Sequence, residues 1–104
     1  MATFLEFQAR VEKNCFKNRK VLFYADKMKL STKTLNNATQ SIINKSAKAF
    51  INEILIIHVK RLIINSEEPL TKIAYLVGFD EPTNFFKFYK KETGISAKEF
   101  RASL

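Results

Sequence analysis

Asn36 and Asn37 stand side by side between Leu35 and Ala38, shortly after Ser31, Thr32 and Lys33. If Leu35, Ala38, Thr39 and Ile42 form the inward face of a helix, then Thr32, Lys33, Asn36 and Asn37 face outward. An asparagine amide carries an acceptor and a donor in one plane, the pattern that pairs with adenine N6 and N7. A lysine ammonium donates to guanine O6 and N7. On an arbitrary helix two such asparagines are merely solvated, so their weight depends on the element that presents them. Other chemistry finds little support. One histidine, His58, and one cysteine, Cys15, cannot build a zinc site or an internal disulfide. Cys15 reads as core and His58 as a surface or boundary residue. With no His/Cys/carboxylate constellation and no glycine loop for phosphate, no catalytic, cofactor or metal site is expected, and the chain does not read as an enzyme.

The charge balance points to a polyanionic partner. Lys and Arg number 18 against 10 Asp and Glu, a net charge of +8 in 104 residues. Residues 1–45 hold 9 basic and 3 acidic side chains, and residues 46–104 hold 9 and 7. Such an excess suits nucleic acid or an anionic membrane surface. The longest apolar run, Ile54-Leu55-Ile56-Ile57, is far too short to span a bilayer, and the first residues show no secretory signal. A lone cysteine fits a reducing cytoplasm. Lys13, Lys17, Arg19 and Lys20 read as a solvated face rather than a phosphate clamp, and Lys90-Lys91 is explained by a helix dipole.

Helical spacing runs through the whole chain, and 2 glycines with 2 prolines are too few for a hairpin-rich β fold. Phe4, Phe7, Val11 and Cys15 mark a first helix; Val21, Tyr24, Ala25 and Met28 mark a short second. Ser31 caps a third. Ser46 opens a long fourth helix with Phe50, Ile51, Ile54, Leu55, Val59, Leu62 and Ile63 in register, ended by Ser66-Glu67-Glu68-Pro69. A short helix over Thr71–Val77 stops at Gly78, expected in a left-handed conformation. Pro82 then starts a helix that buries Phe85, Phe88 and Tyr89 and ends at Gly94. Ser96 caps a last turn over Ala97–Ala102. The expectation is an all-α chain of seven helices.

Within it one pattern occurs twice. Ala25-Asp26-Lys27-Met28-Lys29-Leu30-Ser31 aligns with Ala74-Tyr75-Leu76-Val77-Gly78-Phe79-Asp80. Each has a small alanine where two helices cross and an apolar plug, Leu30 or Phe79, five residues later. The next inward residue is Leu35, ten after Ala25, or Phe85, eleven after Ala74, so the second turn is one residue longer. Short helix, plugged turn, helix is the pattern of a helix-turn-helix unit.

The chain from about Phe4 onward resembles the AraC/XylS family of bacterial transcription regulators, in its C-terminal DNA-binding domain. Ile73 to Phe79, Asn84 to Ser96 and Glu99-Phe100-Arg101 carry the resemblance, with looser agreement at Tyr24-Ala25-Asp26 and Ser31 to Leu35. It implies one domain with a first helix-turn-helix at about 4–45, a linking helix at about 46–65 and a second helix-turn-helix at about 69–104. In this sequence Ala97 stands where the family usually has proline, Asn44 where glycine is frequent, and Ile54 where arginine is common.

The resemblance also implies a function: sequence-specific binding of double-stranded DNA, with Lys33, Asn36 and Asn37 facing bases and Ser31 and Thr32 beside them. The matching positions on the second unit are Thr83, Phe86 and Lys87, flanked by Pro82 and Asn84. Phe86 leaves two readings open: packing on thymine methyls or sugars, or joining Phe85 in the core. A linking helix over 46–65 would be roughly 30 Å long at 1.5 Å per residue. That is close to the ~34 Å between successive major grooves, so one monomeric copy could occupy two. The rival is a helical interaction module that contacts RNA polymerase or another protein; a basic amphipathic membrane-surface domain is less well supported. Family members commonly carry a sensor domain before this one, which makes an excised fragment the expectation.

Overall fold

The computed structural model describes all residues from Met1 to Leu104. Seven helices follow in order: α1 (Ala2–Asn14), α2 (Val21–Lys27), α3 (Thr32–Ile43), α4 (Ala47–Asn65), α5 (Leu70–Leu76), α6 (Pro82–Thr93) and α7 (Ala97–Ala102), with no strand. The chain divides into two compact units, Met1–Ile54 and Leu55–Leu104, and α4 passes without interruption from one into the other.

The first unit is built on aromatic packing. The spacing of Phe4, Phe7, Val11 and Cys15 puts all four on one face, and all four are buried. Phe7 meets Tyr24 edge-on with ring centroids 5.6 Å apart and lies 5.5 Å from Phe50 of α4. Each such ring contributes about 1.5–3 kcal/mol through burial. The connection into α2 is held by two bonds, one local and one long-range: the Tyr24 phenol donates to Asn18 O at 2.6 Å and Lys48 Nζ donates to Arg19 O at 3.2 Å. Burial pushes the Tyr24 phenol up to about 12, with a smaller push from Cys15, so it remains a donor through the physiological range.

The second unit repeats this plan with different contacts. Phe79 packs edge-on against Phe85 at 5.6 Å, and Tyr89 lies 6.2 Å from Phe100. Here the connection into α5 is held by Arg101, whose Nη1 donates to Glu68 O at 2.6 Å and Nη2 to Ser66 O at 3.2 Å. A planar guanidinium can bridge two carbonyls, which a lysine ammonium does less well. At α7 the Ser96 side chain accepts from Glu99 N and the Glu99 carboxylate accepts from Ser96 N, a complete capping box. Ala97, fully buried behind that cap, therefore starts α7 firmly without the family's usual proline.

α4 differs from the simple stripe the spacing suggests. Phe50, Ile51, Ile54, Leu55, Ile56, Val59 and Ile63 are buried, whereas Leu62 is only half-buried. Ala47, Ile51, Leu55, Val59 and Ile63 fall on one line at steps of four, flanked on one side by Phe50 and Ile54 and on the other by Ile56. Ile56, absent from the expected inward set, is buried beside that line. Ile54, where the family commonly has arginine, fills core space instead of carrying charge.

Candidate nucleic-acid interface

The repeated heptapeptide closes the same turn twice. Leu30 N donates to Ala25 O at 2.9 Å, and Phe79 N donates to Ala74 O at 3.0 Å. Inside each loop Lys29 N donates to Asp26 O and Gly78 N to Tyr75 O, both at 3.1 Å. This nested pair of bonds is a Schellman motif, in which the penultimate residue adopts a left-handed backbone. Gly78 does so at φ 102° and Lys29 at φ 57°. Lys29 therefore shares its counterpart's conformation despite carrying a side chain, at a cost glycine would avoid. Ala25 and Ala74 are both fully buried, as close helix crossing requires.

α3 and α6 then begin by different means. Ser31 Oγ accepts from Thr34 N at 3.1 Å, the cap expected from sequence, and also donates to Thr34 Oγ1 at 2.9 Å. α6 has no side-chain cap; Pro82 occupies its first turn, where a missing N–H costs nothing. Both helices are 12 residues long and both end on a left-handed residue, Asn44 at φ 56° and Gly94 at φ 87°. Asn44 thus adopts the backbone that the family's frequent glycine would provide.

On α3, Thr32, Lys33 and Asn37 are exposed, as is Ser31 before them. Leu35 and Thr39 are the buried positions, and the Thr39 hydroxyl is satisfied by donating to Asn36 O at 3.0 Å. Two expectations fail here. Ile42 is 39% exposed rather than inward, and Ala38 is half-buried. The inward line follows Leu35, Thr39 and the half-buried Ile43, steps of four that place Ile42 beside the core instead of over it. The exposed side continues from Asn37 through Gln40 and Ser41, which the sequence reading passed over although they follow Asn37 at three and four residues. Lys33 is the only charged side chain of α3, so no acidic group opposes a polyanion there.

Asn36 departs from expectation more sharply. It is half-buried, and its Oδ1 accepts from Ala47 N, the first residue of α4, at 2.8 Å. A bidentate contact to adenine needs that oxygen as acceptor for N6, so it would have to share or give up the atom already bonded to Ala47 N.

On α6, Thr83, Asn84 and Lys87 are exposed, Pro82 and Phe86 are half-buried, and Lys90 and Lys91 extend the outward side toward the C-terminus. Phe86 lies edge-on against Phe85 at 5.5 Å, which favours the packing alternative for part of its surface. Phe88, expected in the core, is half-buried and rests 5.3 Å from Phe79. His58 is half-buried on α4, as a boundary residue would be, and no helix is long and apolar enough to cross a membrane.

Known proteins share this arrangement. A family model described as "Helix-turn-helix domain" matches residues 24–103. The HTH-type transcriptional activator RhaS of Citrobacter koseri is 29% identical over 77 residues, covering 74% of this chain and 28% of the relative. The chain thus spans little more than a quarter of that relative's length. Among solved structures, the C-terminal domain of AraT, a response regulator from Geobacillus stearothermophilus, superposes with a TM-score of 0.90 at 19% identity, covering 100% of this chain and 87% of that one. The DNA-binding domain of AdpA, in complex with a target DNA, superposes with a TM-score of 0.83 at 18% identity over 95% of this chain and 89% of that one. The twice-built turn, the paired 12-residue helices and the family match together place the chain: it belongs to the helix-turn-helix domains of the AraC/XylS family.

Proposed function

We propose that this chain is the DNA-binding part of a bacterial transcription regulator and reads a specific double-stranded site through α3 and α6. The observation that carries the reading is the duplicated helix-turn-helix, each copy presenting a helix with an exposed polar side. In such units the second helix enters the major groove with its N-terminal residues against base edges. Lys33 and Asn37 are the base-facing residues of α3, with Ser31 and Thr32 on the flanking phosphates. On α6, Thr83 reads a base edge or thymine methyl and Lys87 a guanine or phosphate, with Pro82, Asn84 and Phe86 alongside. Asn36 borders this surface with its Oδ1 engaged by Ala47 N.

The two reading helices would each occupy one of two adjacent major grooves. One copy therefore suffices for a long site, and the protein acts as a monomeric domain in the cytoplasm. The AdpA domain's complex with target DNA supports the same use of this fold. The net charge of +8 supplies the sequence-independent part of affinity.

The test is a paired titration on a duplex selected from a random pool and on its scrambled counterpart, at two salt concentrations. With at least about four phosphate contacts, log K should fall by about 0.9 per contact for each decade of salt. Asn37→Ala should cost about 1–3 kcal/mol on the selected site, little on the scrambled one, and leave the salt slope unchanged. A slope near zero would remove DNA as the partner, and equal losses on both duplexes would remove Asn37 from the reading surface.

A further inference from the structure

We infer that Asn36 is a positioning residue that ties the reading helix α3 to the first turn of α4, rather than a residue that recognises a base. The inference rests on the DNA reading above only for its last test. The atom facing Ala47 N must be the amide oxygen, because a backbone N–H can only donate, so the 2.8 Å bond fixes the orientation of the amide. Ala47 is fully buried, and as the first residue of α4 its N–H has no acceptor within the helix.

The start of α4 needs this outside acceptor for a reason visible in its sequence. Ser46 Oγ accepts from Ala49 N at 3.1 Å, which satisfies one free donor. α7 adds a reciprocal bond from Glu99 to its own cap, but the equivalent position of α4 is Ala49, which has no such side chain. Asn36, eleven residues earlier and on another helix, supplies a further acceptor. Turning Oδ1 toward a base would leave a buried N–H unpaired, which opposes the movement.

The second unit gives independent support. Phe86 is the third residue after the exposed Thr83, as Asn36 is after the exposed Lys33, each directly following the buried Phe85 or Leu35. Phe86 is also half-buried, with its ring edge-on to Phe85 at 5.5 Å. In both units this position turns partly inward, while the residue after it, Asn37 or Lys87, is exposed. Asn36 thus sets the angle at which Lys33 and Asn37 are offered.

Three measurements test this on the full chain. Asn36→Ala should raise the unfolding equilibrium constant about tenfold and speed amide exchange at Ala47, whereas Asn36→Asp, which keeps the acceptor, should leave both near wild type. In an Ala47→Pro background, where the N–H is gone and proline suits the first helical position, Asn36→Ala should cost almost nothing. If the buried site rejects proline, the aspartate comparison and Ala47 exchange decide. Unchanged stability and unchanged Ala47 exchange in Asn36→Ala would overturn the inference without touching the DNA reading. The last measurement selects bound duplexes from a random pool: Asn36→Ala should weaken all of them by a similar factor and keep the base preferences of wild type. Loss of preference at a single base pair would show recognition by Asn36 and overturn the positioning role.

Discussion

Lys29→Gly and Gly78→Ala alter the same position of the duplicated turn, and their effects should have opposite signs. At φ 57° Lys29 lies in the left-handed region, which costs an L-residue roughly 1–2 kcal/mol. Glycine would remove that strain while adding roughly 0.5–1 kcal/mol of unfolded-state freedom. Lys29 is exposed, so deleting its side chain sacrifices little packing. The net expectation is about 0.5–1 kcal/mol of stabilisation. Gly78, at φ 102°, lies beyond the well that an alanine occupies comfortably, so Gly78→Ala should destabilise by about 1 kcal/mol or more. Urea unfolding followed by circular dichroism reads the sum. With a slope of about 2 kcal/mol per molar, the midpoints should move by roughly +0.3 to +0.5 M and −0.5 M. Native-state amide exchange in α2 and α5 assigns each change to its own unit. A lowered midpoint for Lys29→Gly, or an unchanged one for Gly78→Ala, would refute the shared-turn reasoning.

Two further expectations concern the connections that hold each unit together. Arg101→Ala should destabilise the second unit by about 1.5–3 kcal/mol, since a charged donor is lost from Ser66 O and Glu68 O; Arg101→Lys should recover only part of this, as judged by the same urea titration. Tyr24→Phe should cost about 1 kcal/mol at neutral pH through loss of the bond to Asn18 O. Because the folded phenol is raised to about 12, mainly by burial, its stabilisation is complete below the ordinary value near 10 and disappears as pH rises through 12. Unfolding midpoints of wild type and Tyr24→Phe measured from pH 9 to 12 should therefore converge; a constant difference would show that the phenol does not titrate with folding.

Local chemistry made much of this protein legible in its sequence. Ser31, Ser46 and Ser96 mark helix starts because a hydroxyl can satisfy a free N–H three residues on, and each does so here. Gly78, Gly94 and Pro82 mark ends and starts through backbone preferences that need no neighbour. The repeated turn is equally local: its alanine, left-handed residue and apolar plug lie within seven positions, so the duplication is readable before any packing is known. The exposure of Thr32, Lys33, Asn37, Thr83, Asn84 and Lys87, the residues of the proposed reading surface, follows from the same helical period.

Tertiary structure decided what periodicity leaves degenerate. A helix with apolar residues at both Ile42 and Ile43 can turn either toward a partner, and the packing of α3 selects a line through Leu35 and Thr39 that leaves Ile42 outside. Ile56 becomes core although it lies beside the main buried line of Ile51, Leu55, Val59 and Ile63, a widening that the spacing alone does not reveal. Arg101 reaches carbonyls 33 and 35 residues back in the chain, and Asn36 commits its oxygen to an amide on the next helix. Helical spacing tells which side of a helix a residue occupies. Whether its polar atoms are free for a ligand depends on which backbone groups other helices bring within hydrogen-bond reach, and that depends on how separate elements pack.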